Sequence, residues 1–108
     1  MFVKEQIKIQ VFIPESHIDK VRLALGEAGI GKIGNYDFTS FVTKGVGYFR
    51  PLSGANPKIG KIGEIEETAE MKLEFICNKS EIEKVSKIVR ENHPYEEVAL
   101  DAIPLLDH

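Results

Sequence analysis

The start of the chain alternates between apolar and polar residues before the apolar spacing lengthens. Four apolar side chains share one face of residues 7–13: Ile7, Ile9, Val11 and Ile13. This period of two predicts a half-buried strand, which Pro14 ends because proline cannot donate a hydrogen bond to a sheet. A helix is predicted over about residues 16–28, from an N-cap at Ser16 to a stop at Gly29. Its apolar residues recur at helical spacing: Ile18, Val21, Leu25 and Ala28.

Two further strand patterns flank a long segment rich in glycine and proline. Residues 36–49 are rich in aromatic and β-branched types, and Gly45 and Gly47 indicate a bulge or a close approach of the backbone. Glycine and proline recur through residues 50–63, which predicts a long connection or arm. A third strand follows, with one apolar face: Ile65, Ala69, Met71, Leu73, Phe75 and Cys77. Its other face is charged: Glu64, Glu66, Glu70, Lys72 and Glu74.

Capping and stop signals complete the order of elements. Ser80 and Glu83 have the spacing of a capping box that begins a second helix. This helix should end near Asn92, because Pro94 disfavours helical geometry at the residue before it. Residues 98–105 predict a last strand. The order β-α-β-β-α-β predicts an α+β sandwich of the ferredoxin-like type, with an antiparallel sheet of strand order 4-1-3-2 and both helices on one face.

This topology leads to a prediction about which loops meet. The end of the first strand, the start of the second, the end of the third and the start of the fourth are expected at one edge of the sheet. Residues 35–37 would then face residues 93–97, while the arm of residues 50–63 would project from the opposite edge. Tyr36 and Tyr95 would wall a ligand pocket between them. The candidate ligand contacts are Asn35, Tyr36, Asp37, Arg50 and Tyr95.

The polar residues that follow the second helix allow two interpretations. A histidine close to two carboxylates, His93 with Glu96 and Glu97, could hold a divalent metal ion or move a proton. Alternatively, His93 and Asn92 finish the helix while the carboxylates stay solvated. Arg50 on the arm is similarly open, because it could contact an anion or form a salt bridge that holds the arm.

Composition and charge narrow the class of partner. Hydrophobic residues make up 43% and charged residues 29%, as expected if residues 1–108 form a single folded domain. The net charge of -3, without a lysine or arginine block, argues against binding to nucleic acid or to an anionic membrane surface. No apolar run reaches transmembrane length and the start lacks a signal-peptide pattern, so a cytoplasmic location is expected. Phe12 and Ile76 on the open face of the sheet favour burial in a homo-oligomer.

Four runs of residues carry a more specific signal. They are Gly34-Asn35-Tyr36-Asp37, Gly45-Val46-Gly47-Tyr48-Phe49-Arg50-Pro51, Gly54-Ala55-Asn56-Pro57-Lys58-Ile59-Gly60 and His93-Pro94-Tyr95-Glu96-Glu97-Val98-Ala99. Together they resemble the YqfO-type insert domain, which in larger relatives interrupts a metal-binding protein known as a homologue of GTP cyclohydrolase type 2. That insert is similar to the CutA and PII signalling-protein folds, which assemble as trimers. The resemblance therefore implies this fold and a trimeric assembly.

The resemblance does not supply a reaction. The histidine-rich and acid-rich segments that bind two metals in those relatives have no counterpart in this sequence. We therefore favour a binding and oligomerisation module that holds a small molecule or a metal ion at the Tyr36/His93 edge. The alternatives are a small metal-dependent enzyme that uses His93 and Glu97, and a module that docks to a protein partner.

Overall fold

A computed structural model describes residues 5–106, which form a four-stranded antiparallel sheet with two helices packed on one face. The strands occur in the order β2-β3-β1-β4, which confirms the predicted ferredoxin-like fold and its strand order. The elements are β1 (Gln6–Pro14), α1 (Ile18–Glu27), β2 (Phe41–Phe49), β3 (Glu66–Asn78), α2 (Ile82–Asn92) and β4 (Leu100–Pro104). No helix in residues 5–106 combines the length and the apolar character needed to cross a membrane.

The core lies between the sheet and the helices. Every second side chain of β1 is buried, as its alternating pattern predicts. These side chains pack with Val21 and Leu25 of α1 and with Val85 and Val89 of α2. Each fully buried aliphatic side chain of this kind contributes about 1.5–3 kcal/mol of transfer free energy, so this layer accounts for much of the stability.

Several predicted boundaries are wrong. α1 begins at Ile18 after a short 3-10 turn, and its N-cap residue is His17 instead of Ser16. β4 begins at Leu100 instead of residue 98. The second strand begins at Phe41 instead of residue 36, because residues 33–36 form an isolated bridge of their own before the sheet begins. The capping interaction before α2 joins Asn78 and Glu81 instead of Ser80 and Glu83. The N–H of Asn78 donates to Oε1 of Glu81 at 2.9 Å, and a short 3-10 turn then leads into α2.

The strand ends meet differently from the expectation. Because neighbouring strands are antiparallel, the end of β1 lies beside β3 near its start, where Pro14 pairs with Glu70. β2 ends at this same edge, where Phe49 pairs with Glu66. β4 also starts there, because Leu100 pairs near the end of β1. The expectation that the starts of β2 and β4 share an edge is therefore wrong.

The arm follows β2 and so leaves the sheet at the edge where β4 starts, which we call the arm edge. Its base is closed by the N–H of Gly63, which donates to the oxygen of Pro51 at 2.8 Å. Further along, the N–H of Asn56 donates to Oε1 of Glu96 at 2.9 Å. The arm therefore contacts residues 93–99, and the prediction that it projects from the opposite edge is wrong.

Candidate ligand cavity at the arm edge

A cavity of about 520 Å³ lies at the arm edge, and we call it the arm cavity. It opens between the end of β2, the arm and residues 95–97. This volume falls within the range of roughly 300–1,000 Å³ that small-molecule sites occupy. The arm cavity is therefore large enough for a compact organic ligand.

Most of the cavity wall is apolar, and the sheet pattern explains why. Phe12 lies between two core residues of β1, so the alternation directs its side chain to the open face of the sheet. Phe49 of β2 lies on the same open face, because it pairs with Glu66 in the ladder. Leu52 and Ile59 of the arm complete this wall. Such a lining removes apolar ligand surface from water and favours binding.

Tyr95 lies in the wall between two other rings. Its ring centroid is 6.3 Å from that of Phe49 and 5.1 Å from that of His93. Its hydroxyl is buried and has no hydrogen-bond partner among residues 5–106. Burial raises the pKa of Tyr95 and the negative charge of Glu70 raises it further. The polar side chain of Thr68 has a smaller, opposite effect and lowers the pKa of Tyr95. Its geometry does not qualify as a hydrogen bond to the Tyr95 hydroxyl.

Glu70 is the polar residue on the sheet side of the cavity. Its carboxylate occupies the space in which a side chain at position 47 would begin, so only glycine at that position leaves room for it. Burial raises the pKa of Glu70. Within the described part of the chain its carboxylate forms no ion pair. The arm cavity therefore contains a partly desolvated carboxylate whose negative charge acts on Tyr95.

His93 has a structural role in this geometry. Its Nδ1 accepts a hydrogen bond from the N–H of Tyr95 at 3.2 Å, so its Nε2 carries the proton and donates to the oxygen of Phe12 at 2.7 Å. Burial lowers the pKa of His93, and the nearby charges of His17 and Arg90 act in the same direction, while the bond to Phe12 opposes them. The imidazole is therefore neutral and joins residues 93–95 to β1.

The proposed metal ligands do not come together. Both ring nitrogens of His93 are occupied by hydrogen bonds, Oε1 of Glu96 accepts from the arm, and Glu97 is exposed. In the described ranges no three histidine, cysteine, aspartate or glutamate side chains form a group that could hold a metal ion. These residues therefore do not fit a metal centre.

The predicted ligand contacts are divided between two edges of the sheet. Arg50 and Tyr95 line the arm cavity. Asn35, Tyr36 and Asp37 precede β2 and are exposed, so they lie toward the other edge, where β2 begins. Strand direction therefore separates Tyr36 from Tyr95, and the described residues do not bring the two together as the walls of one pocket.

Most residues that line the arm cavity were not predicted as ligand contacts, and three of them nevertheless had a signal in the sequence. Phe12 lies on the open face, Gly47 was expected to allow a close backbone approach, and Glu70 belongs to the charged face of β3. What the sequence did not reveal was that the arm and residues 93–97 would close over these residues. Without that contact, each of them resembles an ordinary surface position.

The chain is similar in sequence to a set of larger bacterial proteins, although no known family profile matches it. It is 48% identical over 98 residues to the GTP cyclohydrolase 1 type 2 homolog of Halalkalibacterium halodurans, covering 91% of this chain and 26% of that protein. The corresponding protein of Bacillus subtilis is 44% identical over 98 residues, which again cover 91% of this chain and 26% of that protein. The chain therefore spans about a quarter of the length of these curated relatives.

Solved structures agree with this relationship. The Bacillus cereus protein related to NIF3 superposes with a TM-score of 0.87 and 40% identity, over 99% of this chain and 27% of that one. The periplasmic divalent cation tolerance protein CutA of Archaeoglobus fulgidus has a TM-score of 0.73 over 95% of this chain and 86% of its own, at 15% identity. The latter likeness concerns the fold alone. The resemblance predicted from the sequence is confirmed: the chain is related to one segment of the GTP cyclohydrolase 1 type 2 homologues and has a CutA-like fold.

Proposed function

We propose that this chain is a binding and self-assembly module whose small-ligand site is the arm cavity. The observation that carries the proposal is the arm cavity itself, which has the volume of a small-molecule site, a largely apolar wall and the partly exposed Glu70 in its lining.

The proposed site differs from the one expected from the sequence. Arg50 and Tyr95 keep their proposed roles as ligand contacts, whereas residues 35–37 lie at the other edge and are left out. A metal-dependent reaction at His93 and Glu97 is not part of the proposal, because both imidazole nitrogens form hydrogen bonds within the chain. A cytoplasmic location stays a prediction.

A fragment screen followed by NMR of the amide groups tests the ligand site. Fragments that bind the arm cavity should shift the signals of Gly47 and Tyr95. Leu52→Trp should fill the cavity and abolish those shifts, while Ile65→Trp should preserve them because Ile65 is 74% exposed and does not line the cavity. Fragment-induced shifts that persist unchanged in Leu52→Trp would contradict the proposal.

A second observation supports self-assembly. β2 is an outer strand of the sheet formed by residues 5–106, and it exposes Phe41, Val46 and Tyr48, each by more than half. Such a strand offers unpaired backbone groups together with apolar side chains, which favours pairing with another chain. We propose that the partner is a second copy of this chain, and that the assembly is the trimer implied by the family resemblance.

Light scattering coupled to size exclusion tests the assembly. A trimer should give three times the chain mass of 12.1 kDa at micromolar concentration. Val46→Lys should lower this mass, because it places a charge on the exposed strand. Leu23→Lys, at an exposed apolar position of α1, should leave it unchanged. A wild-type monomer under these conditions would exclude the proposed assembly.

A further inference from the structure

The charge at the sheet side of the arm cavity identifies the class of ligand. Glu70 lies on the open face of β3 and is only partly exposed, whereas Arg50 and Lys58 line the cavity from the exposed arm. Neither of these two cations forms an ion pair with Glu70. The nearby Lys72 pairs with Glu74 instead, at 3.7 Å. The described residues therefore leave the Glu70 carboxylate without a countercharge.

The position of this carboxylate is determined by the sheet. Gly47 and Glu70 lie on adjacent strands, and the absence of a side chain at Gly47 lets the carboxylate rest against β2. The carboxylate is also close enough to Tyr95 for its charge to act on the hydroxyl.

We propose that the arm cavity binds a small organic cation, a primary ammonium or amidinium group on an apolar, aromatic body. The cationic group donates hydrogen bonds to the Glu70 carboxylate. The aromatic body lies against Phe12, Phe49 and Leu52, which provide an apolar surface. A cation beside the faces of these rings gains further electrostatic attraction. This inference rests on the ligand-binding function proposed above.

Three probes that share a phenylethyl body test the ligand class. They are phenethylamine, phenethyl alcohol and 3-phenylpropionate, which differ in charge at the polar end. Titration into the full chain at pH 7, followed by amide NMR, should show the amine binding at least about tenfold more tightly than the alcohol, because hydrogen bonds between charged groups are the stronger ones. The carboxylate should bind the most weakly.

Variants assign this preference to one residue. Glu70→Gln should reduce the affinity for phenethylamine by about tenfold or more and leave the affinity for phenethyl alcohol unchanged. Glu67→Gln is the matched control, because it removes a carboxylate from the same strand but does not line the cavity. Thermal melting of both variants checks that they fold.

The possible outcomes separate the ligand class from the ligand site. Equal affinities for the three probes in the cavity, or tighter binding of 3-phenylpropionate, would overturn the cation proposal and leave the ligand site intact. Probe-induced shifts that are insensitive to both Glu70→Gln and Leu52→Trp would overturn both. An amine preference that survives Glu70→Gln but not Leu52→Trp would overturn the role of Glu70.

Discussion

Nε2 of His93 lies 2.7 Å from the main-chain oxygen of Phe12, 81 positions earlier in the chain. The N–H of Phe12 in turn donates to the oxygen of Ala99 at 3.1 Å. Both backbone groups of Phe12 are thus bonded to the segment that closes the arm cavity. This relationship connects the end of β1 with the wall formed by Tyr95.

Stability should depend on pH through His93. Its pKa in the folded protein is lowered from 6.5 by burial, so the unfolded chain binds the additional proton between the lowered value and 6.5. The neutral His93 side chain therefore makes its full contribution to the free energy of unfolding above pH 6.5. This contribution is lost as the pH falls through the lowered pKa of His93. Denaturation at pH 7.5 and pH 5 should show a smaller difference for His93→Gln than for the wild type. His17→Gln keeps the buried imidazole and removes only one of the weaker causes of the lowered His93 pKa, so it should keep most of the wild-type difference. An equal pH dependence in the wild type and in His93→Gln would contradict this account.

Glu70→Gln should stabilise the free protein while weakening binding. Burial raises the pKa of Glu70 from 4.5, so folding is opposed by the charged carboxyl at neutral pH. The stability gain in the variant should be largest at pH 7 and should shrink as the pH falls through the raised pKa toward 4.5, where the wild-type carboxyl also becomes neutral. Chemical denaturation at the two pH values measures this. A variant less stable than the wild type at pH 7 would show that Glu70 supports the fold instead.

Replacing each of two glycines of β2 with alanine should affect phenethylamine binding very differently. A methyl group at Gly47 would collide with the Glu70 carboxylate, whereas at Gly45 the nearest atom is the main-chain oxygen of Glu70 at 3.9 Å. Gly47→Ala should therefore displace the carboxylate and weaken phenethylamine binding by about the same tenfold as Glu70→Gln. Gly45→Ala, two positions away on the same strand, should bind normally. Equal affinities for the two variants would argue against the carboxylate position described.

Gly26→Ala should destabilise the protein, against the usual preference of helices. Alanine is normally favoured over glycine in a helix by about 1 kcal/mol. Here the Phe38 ring occupies the place of a side chain at Gly26, so overpacking should cost about 1–3 kcal/mol. In a Phe38→Ala background the sign should reverse and Gly26→Ala should stabilise. A double-mutant cycle by chemical denaturation measures the coupling, and additive effects would exclude the contact.

Glu96→Ala should loosen the arm without unfolding the sheet. The substitution removes the acceptor of the 2.9 Å bond from the N–H of Asn56, which joins the arm to residues 95–97. Trypsin should then cleave faster after Lys58 and Lys61, because both lie in the released arm. Glu97→Ala, which removes the adjacent exposed carboxylate, is the control. Identical cleavage rates in both variants would indicate that the bond does not hold the arm.

Local patterns were sufficient for the elements but less so for their ends. The period of two in β1 and the stop before Pro94 depend only on neighbouring residues, and both predictions agree with the structure. The capping prediction at Ser80 was wrong because Asn78 and Glu81, two residues earlier, have the same spacing and form the actual capping interaction. Sequence spacing alone could not choose between these two overlapping pairs.

The sequence by itself determined the order of strands and helices, the fold and the open face that carries Phe12, because periods of 2 and 3.6 residues are local properties. Only the tertiary structure decided that Tyr95 and Glu70 would share a cavity and that Tyr36 would lie apart from them. The reason is that strand direction decides which loops meet. In an antiparallel sheet the loop after β2 and the loop before β4 reach the same edge, although dozens of residues separate them in the chain.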